Sequence, residues 1–314
     1  MKSLQEEPNL AVEIAGIKFK NPIVTASGTF GFGKEYSVFV DLSKLGGIVF
    51  KSLTLQPCPG NPPPRIFETS SGLLNSIGLE NPGVENFMKF YLPGLKEIST
   101  NIIASIAGGA VEEYAAVAGR LGESEVISAL ELNISCPNVR HGGMQFGVSP
   151  SASAEVVKSV KSVTDKPVIV KLSPNVTNIV EIARSVAAAG ADALSMINTL
   201  TGMAIDIYRR RPVLGNIKGG LSGPAVKPVA VRAVWDVYRE VGLPIIGMGG
   251  ITCARDALEF IMAGARAVAA GTVNFINPEA TIDILEGITF FLKENGIPDI
   301  NSLVGAAHNQ IQGF

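Results

Sequence analysis

The chain has 314 residues, 46% hydrophobic and 17% charged, enough apolar side chains for a large buried core. A net charge of −2 and an isoelectric point near 5.8 exclude the clustered basic surface that nucleic acid requires. The mean hydropathy of +0.31 raises the question of a membrane, but Gly, Pro or a charge interrupts every apolar run well before the ~18 residues of a spanning helix.

The opening "MKSLQEEPNL" is polar and acidic, so no secretory signal is expected. Next, "LAVEIAGIKFKNP" (10–22) alternates around a central glycine and predicts a hairpin plugging the bottom of whatever follows. Eight short apolar runs then recur: "IVTASG" (23–28), "GIVFKS" (47–52), "NIIASIAG" (101–108), "ALELNIS" (129–135), "PVIVKLS" (167–173), "ALSMINT" (193–199), "PIIGMGG" (244–250) and "AVAAGT" (267–272). Runs without polar alternation suit a parallel sheet covered on both faces. Between them lie helical patterns such as "NIVEIARSVAAAGA", "AVKPVAVRAVWDVYREV" and "ARDALEFIMAGA", with Gly190 and Gly264 placed as C-terminal caps. Eight strands alternating with helices predict a single-domain (β/α)8 TIM barrel over residues 1–314, with a doubly wound open sheet as the alternative. The connections after the second, fourth and sixth strands are long. "QPCPGNPPPRIFETSSGLLNSIGLENPG" (56–83) is Pro-rich and "HGGMQFG" (141–147) Gly-rich, and both read as structureless functional loops over the C-terminal mouth.

Chemistry in such a barrel gathers at the C-terminal ends of the strands. Those ends carry Ser27, Lys51, Asn133, Cys136, Lys171, Asn198, Gly249, Gly250, Gly271 and Thr272. The glycines of "GMGGI" and "AGT" let backbone N–H groups approach an anion, which suggests a phosphate site. The nearest approach to a dinucleotide fingerprint, "SGTFGFG" (27–33), has the wrong glycine spacing. Lys51 and Lys171 follow apolar strand residues. Each is a Schiff-base nucleophile, a fixed cation facing a reduced cofactor ring, or a side chain snorkelling to solvent. Asn75, Asn133, Asn138 and Asn198 offer carboxamides that together match the alternating N–H and C=O edge of a polar heterocycle.

Cys58, Cys136 and Cys253 are odd in number and lack CxxC spacing, so they read as reduced thiols of a cytoplasmic protein. Cys136, at a strand mouth among amides and glycines, reads as a general base or nucleophile, since a free thiol titrates near ~8.5. Neither histidine is placed to partner it: His308 is remote and His141 lies in a glycine-flanked loop. With only two histidines, a His-based catalytic metal site is not expected.

The ordered motifs "TASGTFGFG", "FKSLTLQPCPGNPPPR", "NSIGLENPG", "ELNISCPNVRHGG", "VKLSPN", "INT", "GLSGPAVKP", "GMGGI" and "AGT" resemble the dihydroorotate dehydrogenase family across essentially the whole barrel. The "SCPNVRHGGMQFG" segment is most similar to the NAD-linked heteromeric class (class 1B). The resemblance implies oxidation of (S)-dihydroorotate to orotate, a step of pyrimidine biosynthesis, with hydride passing to FMN and a proton to Cys136. By position, Ser27, Lys51, Ser52, Asn133, Lys171, Ile197, Gly223, Gly249, Gly250, Gly271 and Thr272 would hold FMN. Lys51, Asn75, Ile77, Gly78, Leu79, Asn133, Asn198 and Thr199 would hold dihydroorotate. Ser105 departs from the pattern, standing where family members often carry an asparagine against the flavin. The resemblance further implies a partner subunit carrying FAD and a [2Fe–2S] cluster, joined to a homodimer of this chain in a heterotetramer, with electrons reaching NAD⁺. The alternatives are the homodimeric fumarate-using branch and, more remotely, a barrel lyase with a Schiff base on Lys171 or a non-catalytic flavin-binding barrel.

Overall fold

A strand covered on both faces has no polar side to present, and the eight apolar runs fold accordingly. The structure is a computed structural model that describes residues 7–135 and 146–313. Among these, eight parallel strands close into a barrel: Ile23–Thr25, Gly47–Val49, Asn101–Ile106, Ala129–Asn133, Val168–Leu172, Ala193–Met196, Ile245–Met248 and Ala267–Ala270. Each lies beside its predecessor, and the eighth pairs back onto the first, Val268 with Ile23 and Ala270 with Thr25. All eight predicted strands are present, and the closure removes the open-sheet alternative.

The helices bury faces at the spacing their sequences announce. Lys227–Glu240 turns Ala230, Ala233, Val234 and Val237 inward, the i, i+3, i+4, i+7 stripe of an amphipathic helix. Ile179–Ala188 starts where Asn178 accepts a hydrogen bond from Val180 N, satisfying one of the free N–H groups of the first turn. Gly190 and Gly264 follow helices with φ of +101° and +123°, as their cap roles require. At Gly264 a Cβ would also stand 2.2 Å from the Tyr238 ring.

The N-terminal hairpin pairs Val12–Ile14 with Ile17–Phe19 through Ala15 and Gly16, both at positive φ, the two-residue turn whose twist suits a hairpin. Phe19 is fully buried against Gly47, and Asn101 Nδ2 donates to Lys18 O at 2.9 Å, so the hairpin seals the N-terminal end of the barrel.

Two expectations need correction. The first connection carries only a short 3-10 turn, Leu42–Lys44, among the described residues, because Gly28, Gly31 and Gly33 all take positive φ, which an α-helix does not accommodate. The long second connection is not structureless, and it pairs with the long sixth. They contribute Ile66–Thr69 and Gly72–Asn75, and Leu200–Gly202 and Gly219–Ser222, to a four-stranded antiparallel sheet over the mouth. Gly220 pairs with Asn75 and Ser222 with Leu73 across this seam. Proline-rich flanks disguise the hairpin, and its stabilising partner lies in another loop. No helix among the described residues is long and apolar enough to cross a membrane.

Candidate active site

Side chains alternate along a strand, so positions two apart share the barrel interior. This brings Glu131 and Asn133 of the fourth strand to the same face as Lys171 of the fifth, Ser195 of the sixth and Ser105 of the third. In register, Ser105 lies beside Glu131, Asn133 beside Lys171, and Lys171 beside Ser195. Asn198 Nδ2 donates to Asn133 Oδ1 at 3.2 Å, and Asn133 Nδ2 donates to Ser52 Oγ at 3.3 Å. Ser52 and Ser105 share a hydrogen bond of 2.8 Å. Ser105 is fully buried behind Ser52 and does not line the cavity above it. Lys171 Nζ donates to Ser27 Oγ at 3.1 Å and lies 3.8 Å from Glu131 Oε1, in a pair whose side chains are only 6% and 1% exposed.

Above this floor is a cavity of about 960 Å³, at the upper end of the size range of ligand sites. Every residue predicted to hold FMN or dihydroorotate lines it. One wall is glycine: Gly249, Gly250 and Gly223, with φ of +127°, +79° and +90°, and Gly271. Thr272 Oγ1 donates to Ser222 Oγ at 2.8 Å in the same wall. A Cβ on Gly28 would have nothing within 4 Å, and one on Gly271 nothing closer than 3.4 Å, so backbone there is open to an occupant.

The same cavity is also lined by Lys51, Asn75 and the run Ile77–Leu79. That run is tied down by Asn61, whose N donates to Ile77 O at 2.9 Å and whose Nδ2 donates to Ser76 Oγ at 2.9 Å. Gly78 has φ +76°, and a Cβ there would meet Asn61 at 2.5 Å. Burial lowers the pKa of the Lys51 ammonium; Glu80 opposes the shift and Arg65 adds to it. Asn75 Nδ2 donates to Gly220 O at 3.3 Å, and Thr199 N donates to the Asn198 carboxamide at 2.8 Å.

Cys136, Asn138 and His141 lie outside the described residues, while Ser135 and Gly147 on either side line the cavity. Cys58 donates to Gly78 O at 3.3 Å within the wall, and Cys253 is exposed. Among the described residues no group of His, Cys, Asp or Glu is arranged to hold a metal ion.

Sequence reasoning passed over Glu131, Ser195 and Ser222. The signal for Glu131 was present: it stands two before Asn133 in "ELN", so it shares the inward face. Chemically, the arrangement offers open backbone at Gly28 and Gly271 suited to an anion, a buried cation at the floor, and paired carboxamides suited to a planar polar ring.

A model of the dihydroorotate dehydrogenase family matches residues 9–292. The chain belongs to that family. Among its relatives is the catalytic subunit of dihydroorotate dehydrogenase B (NAD(+)) from Desulforamulus reducens, 62% identical over 96% of this chain and 99% of that one. Subunits of the same description from Desulforudis audaxviator and Geotalea uraniireducens are 60% and 55% identical, over 95% and 96% of this chain and 97% and 98% of theirs. Family membership and barrel closure agree, since the match runs from just before the hairpin into the last barrel helix, Ala280–Glu294.

Proposed function

We propose that the chain oxidises (S)-dihydroorotate to orotate as the FMN-bearing catalytic subunit of an NAD-linked assembly, residues 1–314 forming one domain. The observation that carries this reading is the convergence on one cavity of a glycine-rich lining and a floor built from Lys171, Asn133 and Asn198.

The residues present fit FMN. Open backbone at Gly28 and Gly271, with the Ser222 and Thr272 hydroxyls nearby, suits a phosphate. Lys171 and Asn133 suit the polar edge of a flavin ring, with Ser27, Lys51, Ser52, Ile197, Gly223, Gly249 and Gly250 completing the binding set. Bound there, FMN supplies the hydride acceptor. The remaining work belongs to the chain. Asn75, Asn133, Asn198 and Thr199 read the pyrimidine edge, each carboxamide supplying both donor and acceptor. Lys51 and the N–H groups of Ile77, Gly78 and Leu79 meet the substrate carboxylate. Cys136 takes the ring proton as general base. Lys171 is a fixed cation that offsets negative charge arriving with the hydride. The four-stranded sheet over the mouth limits water access.

Electron exit requires a further component in this reading: a subunit with FAD and a [2Fe–2S] cluster, bound to a homodimer of this chain in a cytoplasmic heterotetramer. The NAD(+) wording attached to relatives at 55–62% identity supports this class over the fumarate-using branch. Co-purification from the native host, with an absorption spectrum, tests it. The expected result is a yellow chain that bleaches with dihydroorotate under anaerobic conditions and reduces NAD⁺ only with its partner. Efficient fumarate reduction by the chain alone would overturn the class, and a colourless, non-bleaching chain would overturn the activity.

A further inference from the structure

Glu131 is a buried carboxylate to which the mechanism above gives no task. It is 1% exposed and sits directly beneath Asn133 on the inward face of the fourth strand. A buried carboxylate is strongly unfavourable unless paired and hydrogen-bonded. Glu131 Oε2 accepts from Ser195 Oγ at 2.8 Å. Its Oε1 has no hydrogen-bond partner among the described residues and faces Lys171 Nζ at 3.8 Å, beyond hydrogen-bond reach.

The ammonium makes its hydrogen bond elsewhere, to Ser27 Oγ at 3.1 Å. Lys171 lines the cavity, whereas Glu131 does not. The pair is therefore polarised, with its cationic end lining the cavity and its anionic end away from it, the ammonium held by Ser27 and the carboxylate by Ser195. Were the carboxylate hydrogen-bonded directly to Nζ, the charge would be spent within the floor. Were it absent, the floor would carry a bare cation in a poorly screened interior.

We propose that Glu131 is a positioning residue, its carboxylate held by Ser195 at a stand-off from Lys171 so that the floor moderates the preference of the site for the reduced, negatively charged cofactor. The inference rests on the functional reading above. Glu131 and Ser195 do not line the cavity and act through Lys171.

The test is the ratio of dissociation constants of oxidised to reduced FMN, measured by titration of the full chain and, independently, as the midpoint potential. Glu131→Gln keeps the shape and removes the charge. The ratio is expected to rise at least tenfold, equivalent to about 30 mV for a two-electron couple. Ser195→Ala frees the carboxylate to close on Lys171, and the ratio is expected to fall severalfold. A merely structural role would weaken both cofactor forms alike and leave the ratio unmoved. An unchanged ratio in Glu131→Gln overturns the proposal. Should that variant not fold, an unchanged or raised ratio in Ser195→Ala overturns it instead. Failure of the wild-type chain to bind FMN sinks the functional reading itself, a result distinct from either.

Discussion

Gly220 touches two proposed substrate residues from different loops without contacting substrate through a side chain. It pairs with Asn75 in the sheet over the mouth, accepts the Asn75 Nδ2 hydrogen bond, and lies flat against Thr199. In Gly220→Ala the new Cβ would stand 2.1 Å from Thr199 Oγ1 and 2.6 Å from its Cβ. Ordinary contact begins near ~3.4 Å, so Thr199 or the sheet must shift by roughly 1 Å, and overpacking of this kind costs about 1–3 kcal/mol. A misplacement of ~1 Å at substrate-positioning groups costs on the order of 10²-fold. The three atoms nearest this methyl all belong to Thr199, so FMN content is expected to stay near one per chain. Steady-state kinetics with dihydroorotate are expected to show kcat/KM reduced about 10²-fold, with KM bearing much of the loss. Unchanged kinetics in a folded variant would show that Thr199 and Asn75 do not orient the substrate.

Cys136→Ala should leave FMN binding intact and slow anaerobic flavin reduction by ~10²–10⁴-fold; a near-normal stopped-flow rate removes the thiol from the mechanism. Cys136→Ser should retain part of the rate with its pH profile displaced to higher pH. Gly264→Ala combines φ +123° with a Cβ 2.2 Å from the Tyr238 ring, far from the cavity. A loss of about 2–4 kcal/mol in urea unfolding at unaltered kcat is expected. Asp256 provides an acid-stability prediction. Burial alone would raise its pKa, but hydrogen bonds from Lys227 and from Thr252 outweigh that and hold it at about 2. A depressed folded-state value stabilises the fold above the unfolded pKa near ~3.9. That stability, about 1 kcal/mol after solvent screening, drains away as pH falls from ~4 toward 2. Asp256→Asn should flatten the unfolding free energy across that window, and an unaltered slope would contradict the assignment.

The barrel was legible because its signal is local. Eight apolar runs, each short and bounded by polar or glycine residues, reveal strands buried on both faces, and their C-terminal ends name most of the cavity. Gly249, Gly250, Gly271 and Thr272 are recognisable on the same terms, because they stand at the ends of the seventh and eighth strands. The glycines at 28, 31 and 33 also carried a warning against a helix in the first connection.

What the chain's order of residues determined by itself was thus the strands, their inward and outward faces, and the polar groups at their rims. Only the tertiary structure decided that the second and sixth connections weave into one sheet, since Asn75 and Gly220 are 145 positions apart. It alone also placed Ser105 behind Ser52 and Glu131 3.8 Å from Lys171. Periodicity describes a strand's two faces from neighbours two residues away. Which side chain it then meets depends on register between segments distant in sequence, and register is chosen by the packing of the whole barrel.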